Sequence, residues 1–240
     1  MKHSVNSFYL HQMQIFFLAS VAFISIAAYA GDVTIGTRTN VSNVVPFATL
    51  PTATTPCSRY QQAYSANGFT AIGAIQITGL TFIGGNGGSF RPGTYTLSFS
   101  TITNGIDSLS NSAFDSNLGG NSTFFESVYL SGAAPANLTF TGDVFSYDPS
   151  MGNLLLDIAI SPAGAQPPGK IASYSSDTPS AFGSGVFSRY DNFTSGNLGY
   201  GLVTIFHYDP VISSPAPVPE PSSLVLLASA AVVSRVVRKK

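Results

Sequence analysis

Residue types that commonly carry enzyme chemistry are scarce in this sequence of 240 residues. After residue 30 there is one histidine, His207, among many serines and aspartates, and no Gly-x-Ser-x-Gly turn that would expose a serine nucleophile. A hydrolase would need His207 within hydrogen-bonding distance of both a nucleophile and a carboxylate. We instead expect His207 near a strand end, facing solvent or capping a buried polar network. We predict that the chain is not an enzyme and has no catalytic residues.

Cys57 is the only cysteine. It cannot form an intramolecular disulfide, and it cannot supply a zinc site of several thiolates. Because it follows Pro56 and does not lie at a signal cleavage site, we expect a buried or shielded thiol. Pairing between two chains stays an alternative.

Oxygen ligands for a hard cation are present, but they follow no calcium-binding pattern. The candidates are Asp143, Asp148, Asp157, Asp191, Asn192 and Asp209. Their spacing fits neither an EF-hand nor an RTX repeat, so turn formation and capping are the expected roles of the acids. We assign no metal ligand and predict no cofactor, with one structural calcium between loops as the alternative.

Residues 84–88 form a glycine-rich segment that reads Gly-Gly-Asn-Gly-Gly. The segment lacks the Gly-Lys-Ser/Thr ending of a phosphate-binding loop, and no helix is predicted to follow it. We therefore expect a flexible hairpin loop here.

The charge of the chain argues against a nucleic-acid partner. Only 9% of residues are charged, and between Gly31 and Pro221 five basic residues stand against eleven acidic ones, a net charge of −6. A nucleic-acid-binding surface needs clustered cations to neutralise phosphates. We therefore predict no nucleic-acid partner.

The elements that must position these side chains are strands. From residue 31 to 214 the apolar residues come in short runs bounded by Gly, Asn, Asp and Pro, which indicates strands and turns. The predicted strands cover residues 58–64, 71–83, 93–101, 122–130, 136–140, 144–147, 153–160, 181–188 and 200–208. Short strands in this number favour one all-β domain, an antiparallel β-sandwich or jelly roll. Residues 44–56 and 161–170 are predicted to be loops, and a short helical turn is expected around residues 109–114.

Two of these strands carry specific expectations. In residues 94–100, strict alternation places Tyr95, Leu97 and Phe99 toward the core and the hydroxyl side chains outside. The uninterrupted leucine run at residues 154–156 predicts a strand in the middle of a sheet that is buried on both faces, or whose outer face is buried under a loop.

The clearest local turn lies at residues 148–152. It has a proline early and a glycine late, which is suitable turn chemistry. The flanking runs, residues 144–147 and 153–158, are predicted to be the two strands of a hairpin.

Residues 1–30 have the order of a secretory signal peptide. Lys2 precedes an apolar run at residues 15–28, and Ala28-Tyr29-Ala30 precedes Gly31. A cation, an apolar stretch and a small-x-small site predict cleavage after Ala30. A retained membrane helix is the alternative, although the run is shorter than the roughly 20 apolar residues that a span requires.

Residues 215–240 form a tail of three parts. Alternating prolines give an extended spacer, and an apolar stretch at residues 224–233 can form a helix. A basic end follows, with Arg235, Arg238, Lys239 and Lys240. Because basic residues favour the cytoplasmic side, this order predicts a transmembrane helix that leaves the β-domain, residues 31–214, outside the membrane.

The spacer ends in Pro219, Glu220 and Pro221. This motif, followed by an apolar helix and a basic end and paired with an N-terminal signal, resembles the PEP-CTERM sorting signal of Gram-negative bacteria. The resemblance implies an exosortase substrate, because an exosortase is the membrane enzyme that recognises such tails, often in organisms that make extracellular polysaccharide. The implied partners are the export machinery, the exosortase, the membrane and extracellular polysaccharide.

The resemblance also implies a location and extends to three internal stretches. An exported protein of the cell envelope, cell surface or extracellular space is implied, held transiently or permanently in the inner membrane by the C-terminal helix. Residues 57–64, 153–157 and 199–204 are similar to stretches in the mature domains of some PEP-CTERM proteins. That similarity implies a β-sandwich and no particular activity.

Together these features predict a secreted, non-enzymatic surface or extracellular-matrix protein with a structural or interaction role. The alternative is an extracellular carbohydrate-binding β-sandwich module in which exposed tyrosines stack on sugar rings. The tyrosines that this alternative uses are Tyr60, Tyr64, Tyr174, Tyr190 and Tyr200.

Overall fold

The computed structural model describes residues 30–38, 42–49, 57–177, 185–191 and 200–211. Its strands are β1 (Gly31–Ile35), β2 (Ser42–Asn43), β3 (Arg59–Tyr64), β4 (Ile75–Ile83), β5 (Gly93–Ile102), β6 (Thr123–Leu130), β7 (Asn137–Tyr147), β8 (Asn153–Pro162), β9 (Tyr174–Ser175), β10 (Val186–Tyr190) and β11 (Thr204–Pro210). Helical structure in these ranges is limited to 3-10 turns at Ala66–Gly68, Ile106–Ser108, Phe114–Asn117 and Pro149–Met151. Within the described residues, no helix has the length and apolar character needed to cross a bilayer. The predicted sorting helix and all of the predicted signal peptide except Ala30 lie outside these ranges.

The strands form antiparallel sheets, which confirms the all-β fold class. One sheet has four strands in the order β1-β11-β4-β7, and the other has five in the order β10-β3-β8-β5-β6. A third, two-stranded sheet joins β2 and β9. Buried apolar side chains from both large sheets form one core cluster, so the arrangement is sandwich-like.

Aromatic rings fill much of this core. Phe47 lies in a segment that was predicted to be a loop, and residues 44–49 contain no strand, as predicted. Its ring is fully buried and contacts the rings of Phe82, Phe90, Tyr95, Phe140 and Tyr174. Although Phe47 belongs to a loop, its ring packs within the core, where ring–ring contacts favour the burial of a large aromatic side chain.

The two strands with specific expectations behave as predicted except at Ser100. Tyr95, Leu97 and Phe99 of β5 are buried in the core, and the hydroxyl residues Thr94, Thr96 and Ser98 are partly exposed. Ser100 is buried, and its hydroxyl accepts a hydrogen bond from the Gly119 amide at 3.1 Å. Strand β8 lies between β3 and β5, and its leucines at residues 154–156 are all buried.

The predicted hairpin at residues 144–158 is wrong, although its turn is correct. The Asp148 carboxylate accepts a hydrogen bond from the Ser150 amide at 2.9 Å and caps the turn. However, β7 pairs with β4 in one sheet, whereas β8 pairs with β3 and β5 in the other. The turn residues set the local backbone conformation, but they do not decide whether the next strand joins the same sheet or crosses the core.

Other strand boundaries also differ from the predictions. The predicted strands 136–140 and 144–147 are parts of one strand, β7. Gly142 keeps this strand close to β6, because a Cβ atom there would lie 2.0 Å from the Phe125 carbonyl oxygen. Strands β1, β2 and β9 were not predicted, and residues 178–184, which contain part of the predicted strand 181–188, lie outside the described residues.

The glycine-rich segment connects β4 of one sheet to β5 of the other, so it is not a hairpin loop. The side-chain Nδ2 of Asn86 donates to the Ile171 carbonyl at 2.9 Å, and its side-chain Oδ1 accepts from the backbone amide of Ser173 at 3.1 Å. A Cβ atom at Gly85 or Gly88 would lie 2.0 or 2.2 Å from a neighbouring carbonyl oxygen. Close backbone approach therefore explains these two glycines.

A buried amide joins the two large sheets. Gln62 of β3 points into the core, where its Nε2 donates to the Leu202 carbonyl at 2.8 Å and its Oε1 accepts from the Leu202 amide at 2.6 Å. The Tyr60 hydroxyl also donates to Oε1. Thr204 completes the network, because its hydroxyl lies 2.8 Å from the Tyr64 hydroxyl and donates to the Leu202 carbonyl at 2.9 Å.

We expect the substitution Gln62→Leu to lower the free energy of unfolding by about 3 kcal/mol, because it leaves the buried Leu202 amide and the Tyr60 hydroxyl without their partner. Chemical denaturation of the full chain measures the change. Gln76→Leu is the matched control, because Gln76 is exposed on β4 and should change stability by less than about 0.5 kcal/mol. Equal effects of the two substitutions would contradict the role assigned to Gln62.

Candidate functional site

His207 lies within β11 on the outward face of the four-stranded sheet, with Asp32 of β1 as its cross-strand neighbour. Its Nδ1 is 2.6 Å from Oδ1 of Asp32, and its Nε2 is 2.8 Å from Oγ1 of Thr81 on β4. Thr81 Oγ1 is in turn 2.8 Å from Oγ1 of Thr139 on β7. A chain of hydrogen bonds therefore crosses all four strands of this sheet.

This chain has the order of a carboxylate, an imidazole and a hydroxyl, so His207 meets the distance requirement for a hydrolase. The hydroxyl is poorly placed for attack, because Thr81 is only 5% exposed and its oxygen also contacts Thr139. Strand β4 is paired on both sides, so its backbone amides serve the sheet and are not free to stabilise an oxyanion. The geometry therefore favours a cross-strand tie over acyl transfer.

An open cleft of about 310 Å³ lies beside this tie. It is lined by Ala30, Gly31, Asp32, Thr78, His207 and Tyr208. Two of these residues, Ala30 and Gly31, flank the predicted signal cleavage site, and Gly31 is the first residue of β1. Among the residues that the structure describes, no group of three or more His, Cys, Asp or Glu side chains is placed to hold a metal ion.

Cys57 is buried, as predicted. Its thiol contacts the Arg59 carbonyl oxygen at 3.2 Å. Burial, followed by the nearby Asp191 carboxylate, raises the pKa of the Cys57 thiol far above its ordinary value. A protonated and shielded thiol is a poor nucleophile, so the geometry disfavours pairing between two folded chains.

The candidate acidic ligands have separate structural roles. Asp148 caps a turn, as expected. Asp191 instead accepts hydrogen bonds from the amide and hydroxyl of Ser58, and so joins the residue after β10 to the residue before β3. Asp157 differs from expectation, because it lies within β8 and forms a two-pronged ion pair with Arg59, with N–O distances of 2.9 and 3.1 Å. The remaining described candidates, Asp143 and Asp209, are exposed, and Asn192 lies outside the described residues.

The Arg59–Asp157 pair belongs to a clamp on the outward face of the five-stranded sheet. Arg59 Nη1 is 2.6 Å from Oδ1 of Asp115, and the Gln61 amide donates to Asp157 at 3.0 Å. The Asn117 amide donates to Oε1 of Gln61 at 2.7 Å. These contacts fix residues 103–122 over one end of the sheet.

An apolar cluster lies under the covering segment. Ala63, Leu155 and Ile102, which belong to the sheet, are buried together with Leu109 of the covering segment. The helical turn predicted around residues 109–114 is wrong in position, because the two 3-10 turns of this segment lie at Ile106–Ser108 and Phe114–Asn117.

The three internal stretches that resemble PEP-CTERM mature domains meet in space. Residues 57–64 include β3, which pairs with residues 154–159 of β8. Gln62 in the first stretch bonds to Leu202 in the third, and Gln61 in the first bonds to Asp157 in the second. Their shared role in the described part of the chain is to join strands and sheets.

Three tyrosines of the carbohydrate-binding alternative are misplaced for that function. Tyr60, Tyr64 and Tyr174 have no exposed surface, and each hydroxyl has a hydrogen-bond partner inside the protein. Burial raises the pKa of all three hydroxyls. Tyr190 and Tyr200 are partly buried.

Among the residues that the structure describes, the exposed aromatic side chains are Phe124 and Tyr129 of β6, which sequence reasoning missed. The two-residue alternation that would have revealed them is interrupted, because the pairing of β5 with β6 shifts between Leu97 and Ser98. Phe125 at this shift turns inward and contacts Phe99, while Phe124 turns outward.

No protein-family model matches this chain, and no curated protein is significantly similar to it.

We expect Thr81→Val to lower the free energy of unfolding by about 1 kcal/mol, because it breaks the hydrogen-bond chain while keeping the side-chain shape. Denaturation measures the change, and Thr141→Val is the control, because Thr141 is exposed on the same face. Hydrolysis of p-nitrophenyl acetate should proceed at the same rate in wild type and Thr81→Val. A rate at least tenfold lower in Thr81→Val would show instead that this hydroxyl is catalytic.

Proposed function

We propose that this chain is an exported cell-surface or extracellular-matrix protein with a non-enzymatic structural or interaction role. Its delivery depends on the N-terminal signal and on a C-terminal tail that resembles the PEP-CTERM sorting signal. The observation that carries the proposal is the order of the tail: Pro219-Glu220-Pro221, an apolar stretch and a basic end. The exosortase that recognises such tails is the proposed processing partner.

The length of the apolar stretch supports a processed anchor rather than a permanent one. Residues 224–233 would span about 15 Å as a helix at about 1.5 Å per residue. The hydrocarbon core of a bilayer is about 30 Å thick. Even residues 222–237, with Arg235 reaching toward the headgroups, would span only about 24 Å. Such a segment holds the protein at the membrane long enough for processing.

The start of β1 supports removal of the signal peptide. Gly31 is the first residue of the strand, and it pairs with Tyr208 of β11. Cleavage after Ala30 would therefore keep every residue of β1 in the exported domain. The sheet would lose none of its cross-strand pairs.

Carbohydrate binding remains a second candidate function, and one observation favours it. Phe124 and Tyr129 are exposed on the same outward row of β6, beside hydroxyl side chains of β5. Aromatic faces next to hydroxyl groups suit sugar rings, which combine apolar faces with polar edges.

Replacement of Pro219, Glu220 and Pro221 by alanine should block processing. In a host with an exosortase, we expect the wild-type chain to lose the segment after the motif and to leave the inner-membrane fraction. The variant should keep its full mass there. Intact-mass spectrometry and cell fractionation measure both properties.

The control is the replacement of Pro215 and Pro217 by alanine, which alters the spacer and keeps the motif. This control should be processed like the wild type. Identical mass and location for the wild type and the motif variant would show that the tail is not a sorting signal.

A further inference from the structure

One outward region of the five-stranded sheet carries exposed aromatic rings beside hydroxyl side chains. Strand β6 contributes Phe124, Ser127 and Tyr129 to it, and β5 contributes the residues paired with them, Ser98, Thr96 and Thr94. A hydrogen bond of 3.1 Å between the Thr96 and Ser127 hydroxyls confirms that these rows share one face. We call these six residues the aromatic platform.

The exposure of the two rings sets the platform apart from the rest of the described surface. Phe124 is 49% exposed and Tyr129 is 57% exposed. Among the described residues, the other exposed large hydrophobic side chains are aliphatic: Val144, Met151 and Val211. Single apolar residues are common on protein surfaces, but here the aromatic ones share one strand and one face.

The platform carries no formal charge. Glu126 pairs with Leu97, whose side chain is buried, so Glu126 belongs to the other row of β6. Asp157, opposite Ser98, is paired with Arg59, which also binds Asp115, so this cluster beside the platform has a net charge of −1. A neutral ligand can therefore contact the platform without giving up the hydration of an unpaired charge.

Two other parts of the outward surface are already occupied or of different character. Residues 103–122 cover the neighbouring end of the five-stranded sheet, and their clamp to Arg59 ends beside the platform. The outward face of the four-stranded sheet carries the Asp32–His207 tie. The aromatic platform is thus a distinct surface with rings and hydroxyls together.

We propose that the aromatic platform binds a neutral, extended polysaccharide, with sugar rings stacked on Tyr129 and Phe124. This inference rests on the carbohydrate-binding function proposed above and is independent of the sorting tail. Tyr129 pairs with Thr94 and Phe124 with Ser98, so the backbone positions that carry the two rings are about 13 Å apart along the strand at about 3.3 Å per residue. That separation suits an extended chain of several sugars lying along β6.

The hydroxyl row gives the platform its polar contacts. Thr94, Thr96 and Ser98 point to the same side as the rings and remain partly exposed. Each hydroxyl can donate one hydrogen bond and accept others, which matches the hydroxyl groups along the edge of a sugar chain. The aromatic faces supply contact area, and the hydroxyls orient the chain.

The overall charge of the domain selects among polysaccharides. With a net charge of −6 between Gly31 and Pro221, the domain repels anionic polymers, and no cation lies on the platform to offset this repulsion. We therefore expect preference for an uncharged glucan over an acidic polysaccharide.

Affinity electrophoresis of the purified full-length chain in mild detergent tests the proposal. The probes are two soluble neutral glucans, hydroxyethyl cellulose and laminarin, with alginate as the anionic comparison. We expect retardation by at least one neutral glucan, whereas any retardation by alginate, which the basic C-terminal end can bind, should be unchanged in Tyr129→Ala and Phe124→Ala. Tyr129→Ala and Phe124→Ala should each weaken binding about tenfold, and the double variant should abolish it.

The controls are Val144→Ala and Met151→Ala, which remove exposed apolar side chains away from the platform and should leave binding unchanged. Denaturation curves for each variant show whether it is folded. Absence of neutral-glucan binding by the wild type would overturn the proposal, as would binding that survives the double variant. Self-association of the wild type that Tyr129→Ala removes would identify the platform as an interface between copies and would also overturn it. Because the chain is not sorted in this assay, a failure here is distinct from a failure of tail processing.

Discussion

The buried amide of Gln62 is the polar interaction on which the arrangement of the two sheets depends. Its side chain occupies the core, yet it pairs with the amide and carbonyl of Leu202 as a neighbouring strand would. A buried polar group of this kind is costly without partners and directional with them. The apolar core alone would allow the sheets to slide, because hydrophobic contact has little directionality. Gln62 sets one register between β3 and the strand that follows Leu202.

The faces of the sheets turned away from the core then have different roles. On the four-stranded sheet, the Asp32–His207 pair and the threonines beside it tie an edge strand to its neighbours. On the five-stranded sheet, Arg59 pairs with Asp157 of the neighbouring strand and holds the covering segment, residues 103–122, through Asp115. Polar side chains at these places are engaged in hydrogen bonds and ion pairs within the domain. The aromatic platform lies beside the Arg59 pairs and carries the exposed rings of Phe124 and Tyr129.

The sequence predicts the features that depend on neighbouring residues and misses those that depend on distant ones. Alternation identifies β5, and the leucine run identifies β8, because burial follows directly from residue spacing. The Asp148 turn is also predictable, but the sheet that β8 joins is not, since pairing is decided by packing across the core. Asp32 and His207 are 175 residues apart in the chain, and no spacing rule connects them. The outward position of Phe124 is hidden by an irregularity in the pairing of β6.

The most direct test of the role assigned to Gln62 is native-state hydrogen exchange at the Leu202 amide, measured by NMR on the full-length chain. Leu202 precedes β11 and forms an isolated bridge with Ser176 through the backbone bonds of its neighbours Gly201 and Val203, whereas its own amide donates to the Oε1 of Gln62. We expect this amide to exchange as slowly as that of Leu156 in the central strand β8. Exchange as fast as that of the loop residue Gly120 would mean that the Gln62 bond does not join the two sheets.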